Sequence, residues 1–289
     1  MSALGRSRPE MQIRPTPERR HRVGVLSLLG FVLLGALDAP LDAQSRRQSG
    51  RSEAGMVSAA HPLATDAGVR ILEMGGNAAD AAVAAAFAIS VVEPTMNSIG
   101  GRNQILVRTP DGGFRGIDGT TQAPWDYDFE TAPRASFGYP VIGIPGALAG
   151  LFRLHDEHGS MPLAAIMEPA IDYAENGFRV LALEAQRQAN AANEALQFPG
   201  TAAAYYKVDG TPYGAGDVLV QQDMARTLRK ILAGGRDVFY RGEIARIMAA
   251  DFAANGGVVD LEDLGQYLAE DSRIVRGSYR GYDLIATDV

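Results

Sequence analysis

Four places in the sequence carry residue types that could do chemistry. His155-Asp156-Glu157-His158 sets two imidazoles three residues apart, which on a helix share a side and could meet one metal ion. The same segment is the polar end of an amphipathic stretch just before Gly159, where charged side chains ordinarily face water. His61 precedes Pro62, a setting for a general base or, more commonly, for a capping or core histidine. Gly75-Gly76-Asn77-Ala78 and Gly100-Gly101 could cradle an anion at a helix start. Neither fits a Walker or dinucleotide fingerprint, and the first has the composition of a helix stop followed by a helix start. There is no G-x-S-x-G elbow, no H-E-x-x-H pair and no calcium loop, and no metal site is expected.

Bulk composition removes further classes of function. Zero cysteines exclude a disulfide framework, a thiolate metal site and a cysteine nucleophile. A formal charge of −7, from 34 acids against 27 bases, recommends neither nucleic acid nor an anionic membrane as partner.

The elements that would position any site begin after a targeting segment. Arg19, Arg20 and Arg22 precede an apolar run at 23–37, shorter than the ~20 residues of a membrane-spanning helix. Ala43 then offers a small residue for cleavage before Gln44. Residues 1–43 are therefore expected to be a signal peptide and 44–54 a flexible leader. The paired Arg19-Arg20 also admits twin-arginine export, and an uncleaved N-terminal anchor is the alternative. The expected location is exported, periplasmic or extracellular, with no membrane attachment after cleavage.

From Gly55 onward the periodicities predict a short strand at 56–60, a helix opened by His61-Pro62, and a nearly all-apolar helix at 78–92 capped by Asn77. A hairpin is expected at 104–118 around Asp111-Gly112-Gly113. Helices follow at 147–158, 162–176, 181–196, 221–233, 243–254 and 260–267, with short extended pieces at 205–220 and a strand at 278–286. A chain of 289 residues suggests about two domains, yet no linker or repeat interrupts 55–289, which reads as one intertwined α/β unit.

One ordered series of motifs goes further. It runs Gly55-Met56-Val57, His61-Pro62-Leu63-Ala64, Gly75-Gly76-Asn77-Ala78-Ala79-Asp80, Glu93-Pro94, Ile99-Gly100-Gly101, and Asp118 with Ala123-Pro124. It continues through Pro145-Gly146, Met161-Pro162-Leu163, Gly177-Phe178, Phe239-Tyr240-Arg241-Gly242, Asn255-Gly256-Gly257, Asp263-Leu264 and Tyr279-Arg280-Gly281-Tyr282. This series resembles the γ-glutamyltransferase (γ-glutamyltranspeptidase) family over nearly all of 55–289.

The resemblance implies an N-terminal-nucleophile hydrolase with an αββα sandwich, made as one precursor that cuts itself into a large and a small subunit. The cut exposes a threonine whose hydroxyl attacks a γ-glutamyl amide while its own amine acts as base. The acyl group then passes to water or an amino acid, glutathione being the usual donor, with no metal or organic cofactor. Placed on that pattern, this chain is most of a large subunit, a truncated region whose small-subunit partner comes from the same precursor. The catalytic threonine is then expected beyond Val289, and this chain alone is expected to be inactive.

Two positions depart from the family pattern. The family's donor-binding arginine sits in Asp-x-Arg-x-x-Ala-Pro, and here Asp118-Gly119-Thr120-Thr121-Gln122-Ala123-Pro124 puts Thr120 in its place. A neutral hydroxyl cannot make the bidentate, charge-assisted contact of a guanidinium with a carboxylate. Where the family commonly has four glycines, this chain has Gly100-Gly101-Arg102-Asn103. Either Arg102 or Asn103 reshapes the donor pocket and restores a cation there, or Arg102 is a loop residue facing solvent. The substrate-binding candidates are thus Thr120, Arg102 and Asn103. The alternatives to a γ-glutamyl enzyme are a same-fold acylase or amidase with another acyl group, and a non-catalytic binding protein.

Overall fold

Asn77 starts the helix on which three of the others pack. Its Oδ1 accepts from the backbone of Ala79 and Asp80 at 2.8 and 3.1 Å, and Asp80 returns a carboxylate oxygen to the Asn77 amide at 2.9 Å. This capping box opens Ala78–Val92, a helix buried through Ala81, Val83, Ala84, Phe87, Ala88, Val91 and Val92. Its alanines let neighbouring helices come close on several sides. The computed structural model describes residues 52–131 and 134–288, so the expected signal peptide 1–43 and most of the leader 44–54 lie outside the described residues.

In chain order the helices are α1 (Pro62–Glu73), α2 (Ala78–Val92), α3 (Ala147–His158), α4 (Leu163–Asn176), α5 (Ala182–Ala195), α6 (Pro199–Tyr205), α7 (Gln222–Tyr240), α8 (Glu243–Ala254) and α9 (Leu261–Gln266). The strands are β1 (Asn103–Arg108), β2 (Phe114–Gly119), β3 (Phe178–Arg179), β4 (Val218–Leu219), β5 (Glu270–Asp271), β6 (Ile274–Tyr279) and β7 (Tyr282–Thr287). All described pairings are antiparallel: β1-β2-β5 forms one sheet, β3-β4 and β6-β7 two ribbons. Helices α1, α3 and α4 lie against α2, and α7 lies against α4. The class is mixed α/β. Among the described residues no helix is long and apolar enough to cross a membrane.

The structure revises four expected elements. Residues 56–60 are extended but pair with no strand; Val57 instead packs on Gly68 of α1, and the Ala59 amide donates to Thr65 Oγ1 at 3.2 Å. Helix α6 lies just before the stretch expected to be extended, and Tyr205 closes it. The helix expected at 221–233 continues to Tyr240 across a kink at Gly235, whose φ of 65° only glycine adopts freely. The tail is a hairpin, not one strand: Arg280 and Gly281 have φ of 52° and 82°, the two left-handed residues of a tight turn between Tyr279 and Tyr282.

Candidate functional site

The loop that follows β2 is fixed residue by residue. The Thr120 amide and hydroxyl both donate to Asp118 Oδ1, at 2.8 and 2.6 Å, the local turn that aspartate favours. The Thr120 carbonyl accepts from the Tyr267 hydroxyl at 2.6 Å. Gln122 and Ile144 exchange backbone hydrogen bonds, and the Trp125 amide donates to Asp263 Oδ1 at 2.9 Å. The other oxygen of Asp263 accepts from the Asp260 amide and closes the capping box of α9. Asp118 also stands opposite Glu270 across β2–β5, two acids facing each other.

Tyr267 is one half of a buried pair. Its ring stacks on Tyr240 with centroids 5.6 Å apart and planes 11° from parallel. The Tyr240 hydroxyl donates to the Pro145 carbonyl at 2.8 Å and accepts from the Ala149 amide at 3.2 Å. It thereby satisfies a free N–H of the first turn of α3, which has no side-chain cap. The Arg236 guanidinium lies over Tyr240 and donates to the Tyr267 carbonyl. Burial, with the charges of Asp118 and Glu270, pushes the Tyr267 phenol up to about 12, and burial raises Tyr240 as well. Both hydroxyls therefore keep their protons and donate at any working pH.

Gly146, between these groups, has no room for a side chain. A β-carbon there would meet the Tyr267 hydroxyl and the carbonyls of Gly119 and Thr120, two of the three being backbone. Gly146→Ala is expected to cost about 1–3 kcal/mol, because the start of α3 must move off the loop. A thermal melt of the variant beside wild type measures it, and an unchanged midpoint would show that the contact is slack.

Asn103 and Arg102 flank the same hairpin. Asn103 faces Gly119 in the β1–β2 register, one residue from Thr120. Its Nδ2 donates to the Ala147 carbonyl at 2.8 Å, and its Oδ1 sits against Gly119 and Gly150. Asn103 is thus built into the framework, and either glycine would collide with it if it gained a side chain. Arg102 is exposed. Together with Asn103 and Gln104 it lines a cleft of about 320 Å³ whose apolar walls include Ile99, Ile105 and Leu151. The amide of Gln104 has no hydrogen-bond partner among the described residues. Thr120 is not one of the residues lining this cleft. The structure therefore groups Arg102 with Asn103 in the cleft and places Thr120 next to Gly119, the residue opposite Asn103, with its hydroxyl turned to Asp118.

The other chemical candidates have structural duties. His61 is 2 % exposed, and its Nδ1 caps α1 by accepting from the Leu63 amide at 3.1 Å. Burial lowers its pKa against the pull of Glu93 and Asp66, so it is a neutral cap. The His155 ring meets the Met161 carbonyl at 2.9 Å, and the His158 carbonyl accepts from Asn77 Nδ2 at 2.7 Å. Gly75-Gly76 ends α1 and leads into the Asn77 cap.

The sequence profile described as Gamma-glutamyltranspeptidase matches residues 64–289. The chain belongs to the gamma-glutamyltranspeptidase family. Relatives within it carry more than one activity in their names. The Acylase ACY 1 proenzyme of Pseudomonas sp. (strain SE83) is 39 % identical over 246 residues, covering 80 % of this chain and 44 % of the relative. The Glutathione hydrolase proenzyme of Escherichia coli (strain K12) is 34 % identical over 243 residues, covering 81 % and 42 %. Among solved structures, the gamma-glutamyltranspeptidase of Helicobacter pylori superposes with a TM-score of 0.80 at 32 % identity, covering 83 % of this chain and 71 % of that one. The chain spans less than half the length of these two curated relatives.

Membership of the gamma-glutamyltranspeptidase family leaves the details of the loop to this chain's own residues. Tyr240, Asp263 and Tyr267 were not singled out as site residues by sequence reasoning. Tyr240 and Asp263 sit in quoted motifs, whereas Tyr267 had no local signal, since its partner lies 147 residues away.

Proposed function

We propose that this chain is the large-subunit part of an exported amide-cleaving acyltransferase that moves γ-glutamyl groups to water or an amino acid. The nucleophile is a threonine at the start of a small subunit cut from the same precursor, and that partner completes the αββα sandwich. The names of the two curated relatives, both proenzymes, support processing of this kind. The exposure of Tyr279, Tyr282 and Leu284 on the β6–β7 ribbon, at 61 %, 73 % and 52 %, supports the partner instead, as an apolar strip suited to a covering polypeptide. No cofactor enters the reading.

One observation carries the donor assignment: Arg102 is the cation of the cleft beside the hairpin, where neutral amides and apolar walls would hold an acyl chain. With Thr120 in the usual arginine's slot, Arg102 is the group left to meet a donor carboxylate. A second reading, an acylase taking a neutral acyl group, is favoured by the Thr120 hydroxyl being turned to Asp118.

Donor profiling of the complete enzyme separates the two. Arg102→Ala is expected to raise KM for γ-glutamyl and glutaryl anilides about tenfold, as befits a lost charge-assisted contact, and to leave a simple acyl anilide unchanged. An unaltered preference would remove Arg102 from the site. A wild-type preference for the simple acyl amide would establish the acylase.

A further inference from the structure

We propose that α9 and the tyrosine that ends it are the positioning element of the donor loop, with Asp263 and Tyr267 as positioning residues that fix where residue 120 stands. This rests on the proposed donor reading, in which position 120, the slot of the family's arginine, belongs to the donor subsite together with Arg102.

The loop is held at two points by one turn of chain. Asp263 takes the Trp125 amide at 2.9 Å, and Tyr267, four residues on, gives its hydroxyl to the Thr120 carbonyl at 2.6 Å. The holder is itself rigid. Asp260 and Asp263 cap each other's amides at 2.9 and 3.0 Å, Leu264 is fully buried, and Tyr267 is clamped between the Tyr240 ring and the Arg236 contact. The same Tyr240 grips Pro145 and Ala149. The donor loop and the start of α3 are therefore referenced to one pair of rings.

The groups are also matched in chemistry. A carbonyl accepts from a phenol held in its neutral form, and an amide donates to a carboxylate that α9 already needs for its cap. Both bonds go to the loop's backbone, not to its side chains. The grip is thus indifferent to whether residue 120 is threonine or arginine, and it can set the loop's place while the side chain sets selectivity.

A filler role for Tyr267 predicts that phenylalanine, which keeps the ring and the stack, behaves as wild type. The positioning role predicts otherwise. Tyr267→Phe and Asp263→Asn are to be made in the enzyme produced with the C-terminal region that completes it. The readouts are kcat and KM for a γ-glutamyl anilide, the melting temperature, and hydrogen exchange of the peptide covering 119–125. In each variant the expected result is exchange at 119–125 about tenfold faster, donor KM up about fivefold and kcat within about twofold, as for one lost hydrogen bond. The melting temperature should move by only a few degrees. Unchanged exchange in both variants overturns the clamp while leaving the donor assignment standing. Faster exchange with an unchanged donor KM overturns the assignment of residue 120 to the donor subsite, and the positioning role with it. A fall in kcat and melting temperature with KM unchanged overturns the proposal in favour of a purely structural tyrosine.

Discussion

Asp80→Ala is expected to destabilise the folded region by about 3–4 kcal/mol, a large loss for one side chain. The carboxylate is fully buried, and every acceptor site on it is in use. It receives the Asn77 amide at 2.9 Å, the Ser160 amide at 2.9 Å, the Ser160 hydroxyl at 2.6 Å and the Met161 amide at 3.2 Å. Alanine would take the acceptor from all four of these donors and break the cap of α2. It would also cut the links from α2 to Ser160 and Met161, just past the end of α3. Asp80→Asn keeps one acceptor oxygen and should lose less. Burial by itself would raise the Asp80 pKa, but the Ser160 hydroxyl and the three backbone amides outweigh it and hold the group below the ordinary carboxylate range. The unfolded chain therefore takes up this proton first on acidification. Its stabilising contribution is complete above the ordinary carboxylate pKa and drains away as pH falls through the lowered one. Denaturation midpoints from neutral pH down to acid should slope less in Asp80→Asn than in wild type. Parallel slopes would mean that the carboxylate's charge is not what the site stabilises.

Thr120→Arg is expected to lower KM for a γ-glutamyl donor by about 10–100-fold, the span of roughly 1.5–3 kcal/mol for a charge-assisted hydrogen bond. A guanidinium at this position can take a carboxylate in a bidentate grip that a hydroxyl cannot. It would also stand beside Asp118 and near the carboxylate of Glu270, which face each other across β2–β5. Opposed like charges are unfavourable in a sheet, and an arginine would relieve them. Because the loop is held through its backbone, the exchange should not displace it. Steady-state kinetics of the complete enzyme with γ-glutamyl and simple acyl anilides tests the idea. Gains of equal size on both would count against carboxylate recognition by residue 120.

How far these residues could be read in advance depended on how local their partners are. Asn77 announces a helix start because an N-cap residue stands directly before the nearly all-apolar run of α2; the Asp80 half of its capping box emerges only in the structure. The β1–β2 hairpin was equally plain, since Asp111-Gly112-Gly113 fits a turn between alternating strands. The tail reads as one strand because its turn places arginine, an unusual residue for positive φ, before Gly281, and the alternation continues on either side. Residues 56–60 have strand composition but no strand beside them, and a ladder is a property of two segments. The helix expected over 221–233 runs on to Tyr240 because Phe239 and Tyr240, both buried, anchor the part beyond the Gly235 kink. At the site, Thr120 and Arg102 stood out against a family pattern. What holds Thr120 did not, since Tyr267 and Asp263 reach it across 147 and 138 residues.

Those separations bear on the order of events in folding. Closing loops of such length is slow relative to forming a hairpin or a helix, and the entropy must be met before the contact gives anything back. The β1–β2 hairpin and α2 can form as soon as their own residues are available. The segment between them and α3 is expected to stay unsettled until the chain has been made past residue 267 and α9 has found its place. The loop after β2 should therefore be among the last parts to be ordered, and its ordering should report that nearly the whole region is already assembled.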